Sequence, residues 1–239
     1  MAIVLLQLFS MNARPRVEVM EWIMQEMINL PKEGHTSMYH SLNGNSMLPH
    51  ARNTAVASFM KTQATDLIMI DDDNYAEVGS INKLLSHKVD VVGASCRRKI
   101  PDEERWPVKW HTNMPIKRDE NGLIDVESTG TGILRMTRAC LEKMVWSERA
   151  RCYDDAIAGT AWPLFEYAVH DNSWYGEDIE FCRRWRALGG KVYIDPDIKT
   201  HHIGNWKYSG SPAEYLAGMP PKMCVAPVKV AVTNEFSKL

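Results

Sequence analysis

Several features that define whole classes of protein are missing from this sequence. Its 239 residues carry 28 lysines and arginines against 30 aspartates and glutamates, so the net charge of −2 gives no general basic signature of nucleic-acid binding. None of the five cysteines forms a C-x-x-C pair, which argues against a zinc ribbon. Their odd number and wide spacing suit a reducing cytosol better than a disulfide scaffold, so a cytoplasmic location is expected.

Long hydrophobic runs are also missing. The apolar stretch MAIVLLQLF is too short to span a bilayer and lacks the basic start and the small-residue cleavage site of a signal peptide. It is predicted to form the first strand, and no membrane insertion is expected. The sequence has no internal repeat or low-complexity segment, and with 45% apolar residues it can bury one substantial core.

The first 95 or so residues alternate between strand and helix patterns. Strands are predicted at 3–8, 36–42, 65–70 and 89–95, and helices at 16–30, 45–62 and 76–87. Asn45 or Ser46 is predicted to cap the second of these helices. This alternation predicts an α/β fold with a mostly parallel sheet.

The pattern changes after residue 95. A polar segment containing proline and tryptophan leads to residues 123–128 and 130–137, which are predicted to pair as antiparallel strands. Residues 148–175 are predicted to form a long loop rich in aromatics, between helices at 138–146 and 177–190. Strands follow within 191–202, and 209–239 is predicted to be an irregular tail. We therefore expect a single domain over 1–208, with halves at about 1–95 and 96–208.

Three adjacent carboxylates follow the third predicted strand, in the stretch DLIMIDDDNY. Asp71, Asp72 and Asp73 fit either a solvated surface turn or a divalent-cation site at the carboxyl end of a strand. Alternation along a strand would point Asp71 and Asp73 one way and Asp72 the other. A D-x-D pair of this kind can hold Mg²⁺ or Mn²⁺ and leave positions open for phosphate oxygens.

Two further pairs of residues could take part in chemistry. Glu177 and Asp178 begin a predicted helix, where they either complement the helix dipole or supply a general base for a substrate hydroxyl. The dipole would hold the pKa of Asp178 low. His201 and His202 follow a strand and should face opposite ways, so at most one can join the carboxylates in a set that suits Mn²⁺.

Four motifs, taken in order, resemble the nucleotide-sugar glycosyltransferases of the GT-A fold, in the broad family 2 type. They are HARNTAV, LIMIDDDN, STGTGILRMTRACLEKM and YGEDIEFCRRWRALGGKVYIDPDIKTHHIG. The resemblance covers roughly residues 1–208. It implies a Rossmann-like α/β fold, with a mostly parallel donor half and an antiparallel acceptor half.

The resemblance also implies roles at matching positions. Asp73, Asp71 and His202 would serve the metal, Mn²⁺ or Mg²⁺, and Asp178 would be the catalytic base of a transfer with inversion. The donor would be a nucleotide-diphosphate sugar, with Asp71 also near its ribose. The other donor-side positions are Phe9, Arg52, Asp72, Gly130 and Gly132. After the first strand the chain reads LFSMNARP where the family often has a Pro-Thr start, which leaves the nucleobase contacts unassigned.

The acceptor half is rich in tryptophan, whose faces stack on sugars and bases alike, although ordinary packing explains them equally. Trp110, Trp174 and Glu177 are the predicted acceptor-side residues. The basic, Trp-containing segment 97–118 fits a nucleic-acid strip, a lid or a solvated loop. The chain is also similar to small phage-encoded glycosyltransferases, some of which modify hydroxylated pyrimidines in DNA. DNA in a host cytoplasm is therefore one expectation, while a glycan, lipopolysaccharide or protein hydroxyl stays open.

Two rival functions remain. A nucleotidyltransferase would use the same D-x-D and metal, but it usually shows a glycine-rich phosphate loop after the first strand, and LFSMNARPR contains no glycine. A non-catalytic sugar-binding or nucleic-acid-binding module would need none of the intact acids and histidine at Asp71, Asp73, Asp178 and His202.

Overall fold

A computed structural model describes residues 1–101, 103–112 and 114–218. Its strands are β1 Ile3–Ser10, β2 Thr36–Asn43, β3 Asp66–Asp71, β4 Asn74–Ala76, β5 Val91–Gly93, β6 Val108–Lys109, β7 Ile124–Val126, β8 Ser128–Thr129, β9 Ile133–Thr137, β10 Tyr153–Asp155, β11 Gly159–Ala161, β12 Ala168–His170, β13 Ser173–Tyr175, β14 Val192–Ile194, β15 Thr200–Ile203 and β16 Lys207–Gly210. Its α-helices are α1 Val17–Asn29, α2 Leu48–Met60, α3 Ser80–Ser86, α4 Arg138–Ser147, α5 Glu177–Ala187 and α6 Pro212–Gly218, and Leu30–Glu33 and Arg149–Arg151 are short 3₁₀ turns.

A seven-stranded sheet forms the centre, in the order β2-β1-β3-β9-β5-β14-β7. β1 is parallel to β2 and β3, and β5 is parallel to β14. β9 is antiparallel to β3 and β5, and β7 is antiparallel to β14. Five strands thus run one way and two run the other, which confirms the predicted mostly parallel α/β sheet.

Helices cover both faces of this sheet. Leu67 and Met69 of β3 pack on one side with Phe59 of α2, and Ile68 and Ile70 pack on the other side with Trp22 of α1. The near-continuous apolar sequences of β1 and β3 follow from this burial on both faces. No helix in the described part of the chain is long and apolar enough to cross a membrane.

A small second sheet, in the order β16-β15-β4, joins two motifs that are distant in sequence. β4 begins directly after Asp73, and its Asn74 pairs with His202 of β15. The third acid of the D-x-D stretch is therefore held beside the second histidine. In the main sheet, Asp71 pairs with Phe9 where β1 and β3 reach their carboxyl ends.

Two helix starts differ from the prediction. α2 begins at Leu48 after Met47, so neither Asn45 nor Ser46 occupies the N-cap position. The Asn45 side chain accepts a hydrogen bond from the Met47 amide instead, at 3.0 Å. The third helix is shorter than predicted, because β4 takes Ala76 and the helix begins at Ser80 after Gly79, whose positive φ of 94° is not helical.

The predicted pairing of 123–128 with 130–137 is wrong. β9 lies between β3 and β5, because its apolar side chains can be buried on both faces only in the centre of the sheet. β7 pairs with β14 at the sheet edge.

The predicted loop at 148–175 also contains regular structure, namely the hairpins β10–β11 and β12–β13. Asp171 and Asn172 take positive φ angles of 50° and 58°, which is the two-residue turn geometry that Asp and Asn tolerate. Residues 209–218 are likewise regular, forming the end of β16 and α6. The rest of the predicted tail, 219–239, lies outside the described residues, and the domain limit at 208 stays a prediction.

Candidate active site

A cleft of about 250 Å³ collects side chains from α2, β3, β15 and the start of α5. It brings together most of the predicted site residues, which are Arg52, Asp71, Gly130, Gly132, Glu177, Asp178 and His202. All four sequence motifs, including the D-x-D stretch, therefore contribute residues to this one cleft.

Arg52 lies at the centre of a buried charge cluster, with 2% of its surface exposed. Its Nη2 lies 3.2 Å from Asp71 Oδ1, and its Nε donates to Glu177 Oε1 at 3.3 Å. The guanidinium also lies over the Phe9 ring, 5.1 Å from its centre, so Phe9 supports Arg52. Burial opposes the charge of Arg52, but the carboxylates of Asp71, Glu177 and Asp178 outweigh it and raise the pKa of this arginine.

Asp178 occupies the first turn of α5, and its Oδ1 accepts a hydrogen bond from the Ile179 amide at 2.7 Å. The predicted low pKa is wrong. Burial, followed by the charge of Glu177, raises the pKa of Asp178, and these effects outweigh the hydrogen bond and the positive charge of Arg52.

Glu177 does not cap α5. The N-cap residue is Gly176, and it makes no side-chain capping hydrogen bond. Glu177 instead pairs with Arg52 through a contact that spans the sequence from α2 to α5.

The two predicted glycines lie where other groups approach closely. A Cβ atom on Gly132 would lie 3.0 Å from Asn74 Nδ2, and one on Gly130 would lie 3.2 Å from Cγ of Pro107. Asp178 Oδ2 would be 3.7 Å from the same Gly130 Cβ, so the link between β8 and β9 presents bare backbone to the catalytic-base candidate.

The three adjacent acids have three different surroundings. β3 ends at Asp71, so strict alternation does not extend to Asp72 and Asp73. Asp72 Oδ2 accepts a hydrogen bond from Ser10 Oγ at 2.6 Å, and burial raises the pKa of Asp72. Asp72 and Asp73 also line a neighbouring groove of about 330 Å³ together with Asn12, Arg14 and Arg16.

Asp73 and His202 form the best-matched pair of metal ligands. His202 Nδ1 donates to the Arg97 carbonyl oxygen at 2.8 Å, which directs Nε2 towards Asp73 Oδ1 at 3.3 Å. A divalent cation could be held by Nε2 and Oδ1 together, and a backbone carbonyl is a usual hydrogen-bond partner for the far nitrogen of a metal-bound histidine. Burial alone would raise the pKa of Asp73, but contacts with His202 and Lys99 hold it below its ordinary value.

The complete predicted ligand set is not assembled. Asp71 is engaged by Arg52, and the described residues contain no group of three metal-ligating side chains. His201 faces away from Asp73, as alternation predicts, with its Nδ1 2.8 Å from Ser209 Oγ and its ring 4.6 Å from that of Tyr75.

The predicted acceptor-side tryptophans lie apart from one another. Trp174, on the β12–β13 hairpin, is 69% exposed and lies against Tyr167 with 5.4 Å between ring centres. Trp110 is partly buried and lines a separate groove with Met114 and Ile116.

Sequence reasoning placed Lys99 in a candidate nucleic-acid strip and not beside Asp73, and it did not identify Tyr167 as a site residue. Lys99 Nζ pairs with Asp73, and Tyr167 lies close enough to Glu177 and Asp178 for their charges to raise the pKa of its hydroxyl, after burial as the main cause. For Lys99 the signal was the basic run CRRK, whereas Tyr167 lay in the segment predicted to be an irregular loop.

No protein-family model matches the sequence, and a search of curated proteins found no match. Among solved structures, A197 from STIV is similar over 88% of this chain and 90% of its own, at 16% identity and a TM-score of 0.51.

Drosophila β-1,4-galactosyltransferase 7, a mutant in complex with manganese, UDP-Gal and xylobiose, gives a TM-score of 0.44 at 15% identity, over 93% of this chain and 77% of its own. A glycosyltransferase involved in glycosylation of the major capsid of PBCV-1 gives 0.32 at 15% identity, over 62% and 66%. The predicted mostly parallel α/β arrangement is confirmed, and this chain shares its fold with A197 from STIV.

Proposed function

We propose that the protein is a glycosyltransferase that moves a sugar from a nucleotide-diphosphate donor to an acceptor hydroxyl. The observation that carries this proposal is the shared cleft of Asp178 and His202, which places a carboxylate of raised pKa in the same depression as a metal-ligand candidate. The two glycosyltransferase structures above have TM-scores below 0.5, so the proposal rests on the site.

Arg52 is suited to the diphosphate of the donor. It is buried and permanently charged, and its Nη1 has no hydrogen-bond partner among the described residues. A guanidinium with a free nitrogen gives charge-assisted hydrogen bonds to phosphate oxygens. Asp71 and Glu177 hold this guanidinium in place before a donor arrives.

Asp178 is suited to the role of general base. The acceptor oxygen would attack the anomeric carbon while the bond from that carbon to the phosphate oxygen breaks, and the nucleoside diphosphate would leave with the bonding electron pair. Asp178 would take the acceptor proton as the new bond forms. With one base and no second carboxylate proposed as nucleophile, the displacement is direct and inverts the anomeric centre.

Asp73 and His202 would hold the divalent cation, Mn²⁺ or Mg²⁺, and donor phosphate oxygens would complete its coordination. When bound, such a cation neutralises the charge that develops on the diphosphate leaving group. Asp71 pairs with Arg52, the residue proposed to bind the diphosphate, so we place Asp71 on the donor side, near the ribose or a metal-bound water.

The acceptor would lie against the β12–β13 hairpin. Trp174 and Tyr167 present exposed aromatic faces there, and the adjacent α5 carries Glu177 and Asp178. Aromatic faces of this kind stack on the apolar face of a sugar ring or on a base. This favours an acceptor in which the reacting hydroxyl is attached to a sugar ring or a base that can stack on these aromatic side chains.

The basic run at 97–99 adds no specific support for DNA. The Arg97 guanidinium lies 5.9 Å from the centre of the Tyr208 ring, and Lys99 pairs with Asp73, so two of the three cations have partners within the protein. DNA with hydroxylated bases is therefore one acceptor class to be assayed, together with glycans and lipopolysaccharide.

The test is a panel of nucleotide sugars incubated with the protein and Mn²⁺, with product release followed for the wild type and for Asp178→Asn. Release of a nucleoside diphosphate that depends on Asp178 would support glycosyl transfer. Release of pyrophosphate would point to nucleotidyl transfer, and donor binding without turnover towards any acceptor class would point to a binding module.

A further inference from the structure

We propose that Lys99 is a built-in counter-cation of Asp73 that competes with the divalent cation and thereby sets the metal affinity of the site. This inference rests on the proposed metal role of Asp73 and His202 and goes beyond it, because it assigns a regulating residue that is not a ligand. The Lys99 ammonium group and the divalent cation would bind the Asp73 carboxylate alternately.

The contact is specific at the level of individual oxygens. Lys99 Nζ binds Asp73 Oδ2, while His202 Nε2 faces Asp73 Oδ1. Asp73 Oδ1 also accepts a hydrogen bond from Asn74 Nδ2 at 3.0 Å, so the ammonium group of Lys99 has Oδ2 to itself while the amide and the imidazole share Oδ1.

The fold leaves space for the Lys99 side chain beside Gly204. A Cβ atom on Gly204 would lie 3.0 Å from Cδ of Lys99, so the aliphatic stem crosses the chain where a glycine leaves room for it. Arg97, two residues before Lys99 in the chain, accepts the hydrogen bond from His202 Nδ1 on its carbonyl oxygen. The segment 97–99 therefore positions both the histidine and the ammonium group beside Asp73.

Electrostatics gives the direction of the effect. A divalent cation bound to Asp73 would lie within a few ångströms of the Lys99 ammonium, and like charges at that distance repel strongly in a partly buried site. Since the Lys99 side chain is 34% exposed, the ammonium can swing into water when the metal binds. Breaking its pair with Asp73 then weakens the apparent metal affinity.

The other cations nearby do not duplicate Lys99. Arg98 lines the cleft, and Arg14 and Arg16 line the neighbouring groove, but the ion pairs of Asp73 among the described residues are with Lys99 and His202. Replacing Lys99 alone should therefore leave the Asp73 carboxylate without an ammonium partner.

The experiment is a titration of the full chain with Mn²⁺ alone, without donor or acceptor, in which free Mn²⁺ is read by electron paramagnetic resonance. It compares the wild type with Lys99→Met, Lys99→Arg and Lys109→Met. Lys109 is a matched control, because its Nζ pairs at 2.9 Å with Glu127, away from Asp73. Thermal unfolding of each variant confirms that it is folded.

Lys99→Met should bind Mn²⁺ about tenfold more tightly than the wild type. Lys99→Arg should stay close to the wild type because it keeps the charge, and Lys109→Met should be unchanged. A Lys99→Met variant that binds no tighter than Lys109→Met, or four folded proteins that all fail to bind Mn²⁺, would overturn the competition. Failure of sugar transfer with this pattern of Mn²⁺ affinities intact would count against the proposed function alone.

Discussion

Nε of Arg52 lies 3.3 Å from Oε1 of Glu177, which joins a buried cation on α2 to the residue immediately before Asp178. The same guanidinium reaches Asp71 at the end of β3. One side chain thus fixes the relative positions of the D-x-D strand and the helix that carries the candidate base. Without Arg52, buried carboxylates would lose their compensating charge.

Arg52→Met should therefore destabilise the fold by about 3–5 kcal/mol, the range found when one partner of a buried ion pair is removed. Arg52→Lys should lose less, because it keeps the charge but not the two-sided contact. Urea unfolding measures both free energies of unfolding. Arg149→Met is the control, since Arg149 is exposed and its loss should stay within about 0.5 kcal/mol. Equal losses at Arg52 and Arg149 would contradict the central role of Arg52.

The pH dependence of transfer should reveal the coupling between Glu177 and Asp178. Asp178 must be ionised to act as a base, so kcat/KM should rise with pH as Asp178 loses its proton. The charge of Glu177 helps to raise the pKa of Asp178. Glu177→Gln removes that charge and frees Arg52 to favour ionised Asp178, so the acid limb should move to lower pH. A limb that stays in place or moves upward would show that the two carboxylates are not coupled.

The sequence allowed the sheet and the site to be predicted where the pattern was continuous. β1 and β3 are near-continuous apolar runs that end in polar residues, so their burial and the position of Asp71 at a strand end could be read directly. The opposite orientations of His201 and His202 followed from strand geometry alone.

The sequence did not allow the long-range electrostatics to be predicted. The raised pKa of Asp178 depends on burial and on Glu177, and the location of Glu177 beside Arg52 depends on packing between α2 and α5. The contact between Lys99 and Asp73 depends on residues 96–100, which follow β5 without helix or strand and for which the sequence has no periodic signal. The central position of β9 was missed for a similar reason, because pairing with the next strand in sequence is the simpler assumption.

The two adjacent histidines provide a matched test of the metal site. His202→Ala should weaken Mn²⁺ binding about tenfold or more, the scale seen when metal coordination or its support is disturbed. His201→Ala should leave Mn²⁺ affinity nearly unchanged, since His201 contacts Ser209 and Tyr75. Calorimetry of both variants decides the question. An equal loss in the two, or a larger loss at His201, would place the metal elsewhere.

Asp178→Asn tests the chemistry itself. The substitution keeps the size of the side chain and its contact with the Ile179 amide but removes the proton acceptor, so turnover should fall by about 10²-fold or more. Donor affinity should be nearly unchanged, because Arg52 and Asp73 are intact.

The raised pKa of Asp178 means that its ionised form destabilises the fold at pH values above the pKa of this group in the unfolded chain. The neutral Asp178→Asn variant should therefore unfold at an equal or higher temperature than the wild type at neutral pH. Transfer kinetics, donor calorimetry and thermal unfolding on one preparation separate these effects, with Glu177→Gln as the neighbouring control. If Asp178→Asn turns over normally while Glu177→Gln is inactive, Glu177 is the base, and if both turn over normally, direct displacement assisted from this helix is wrong.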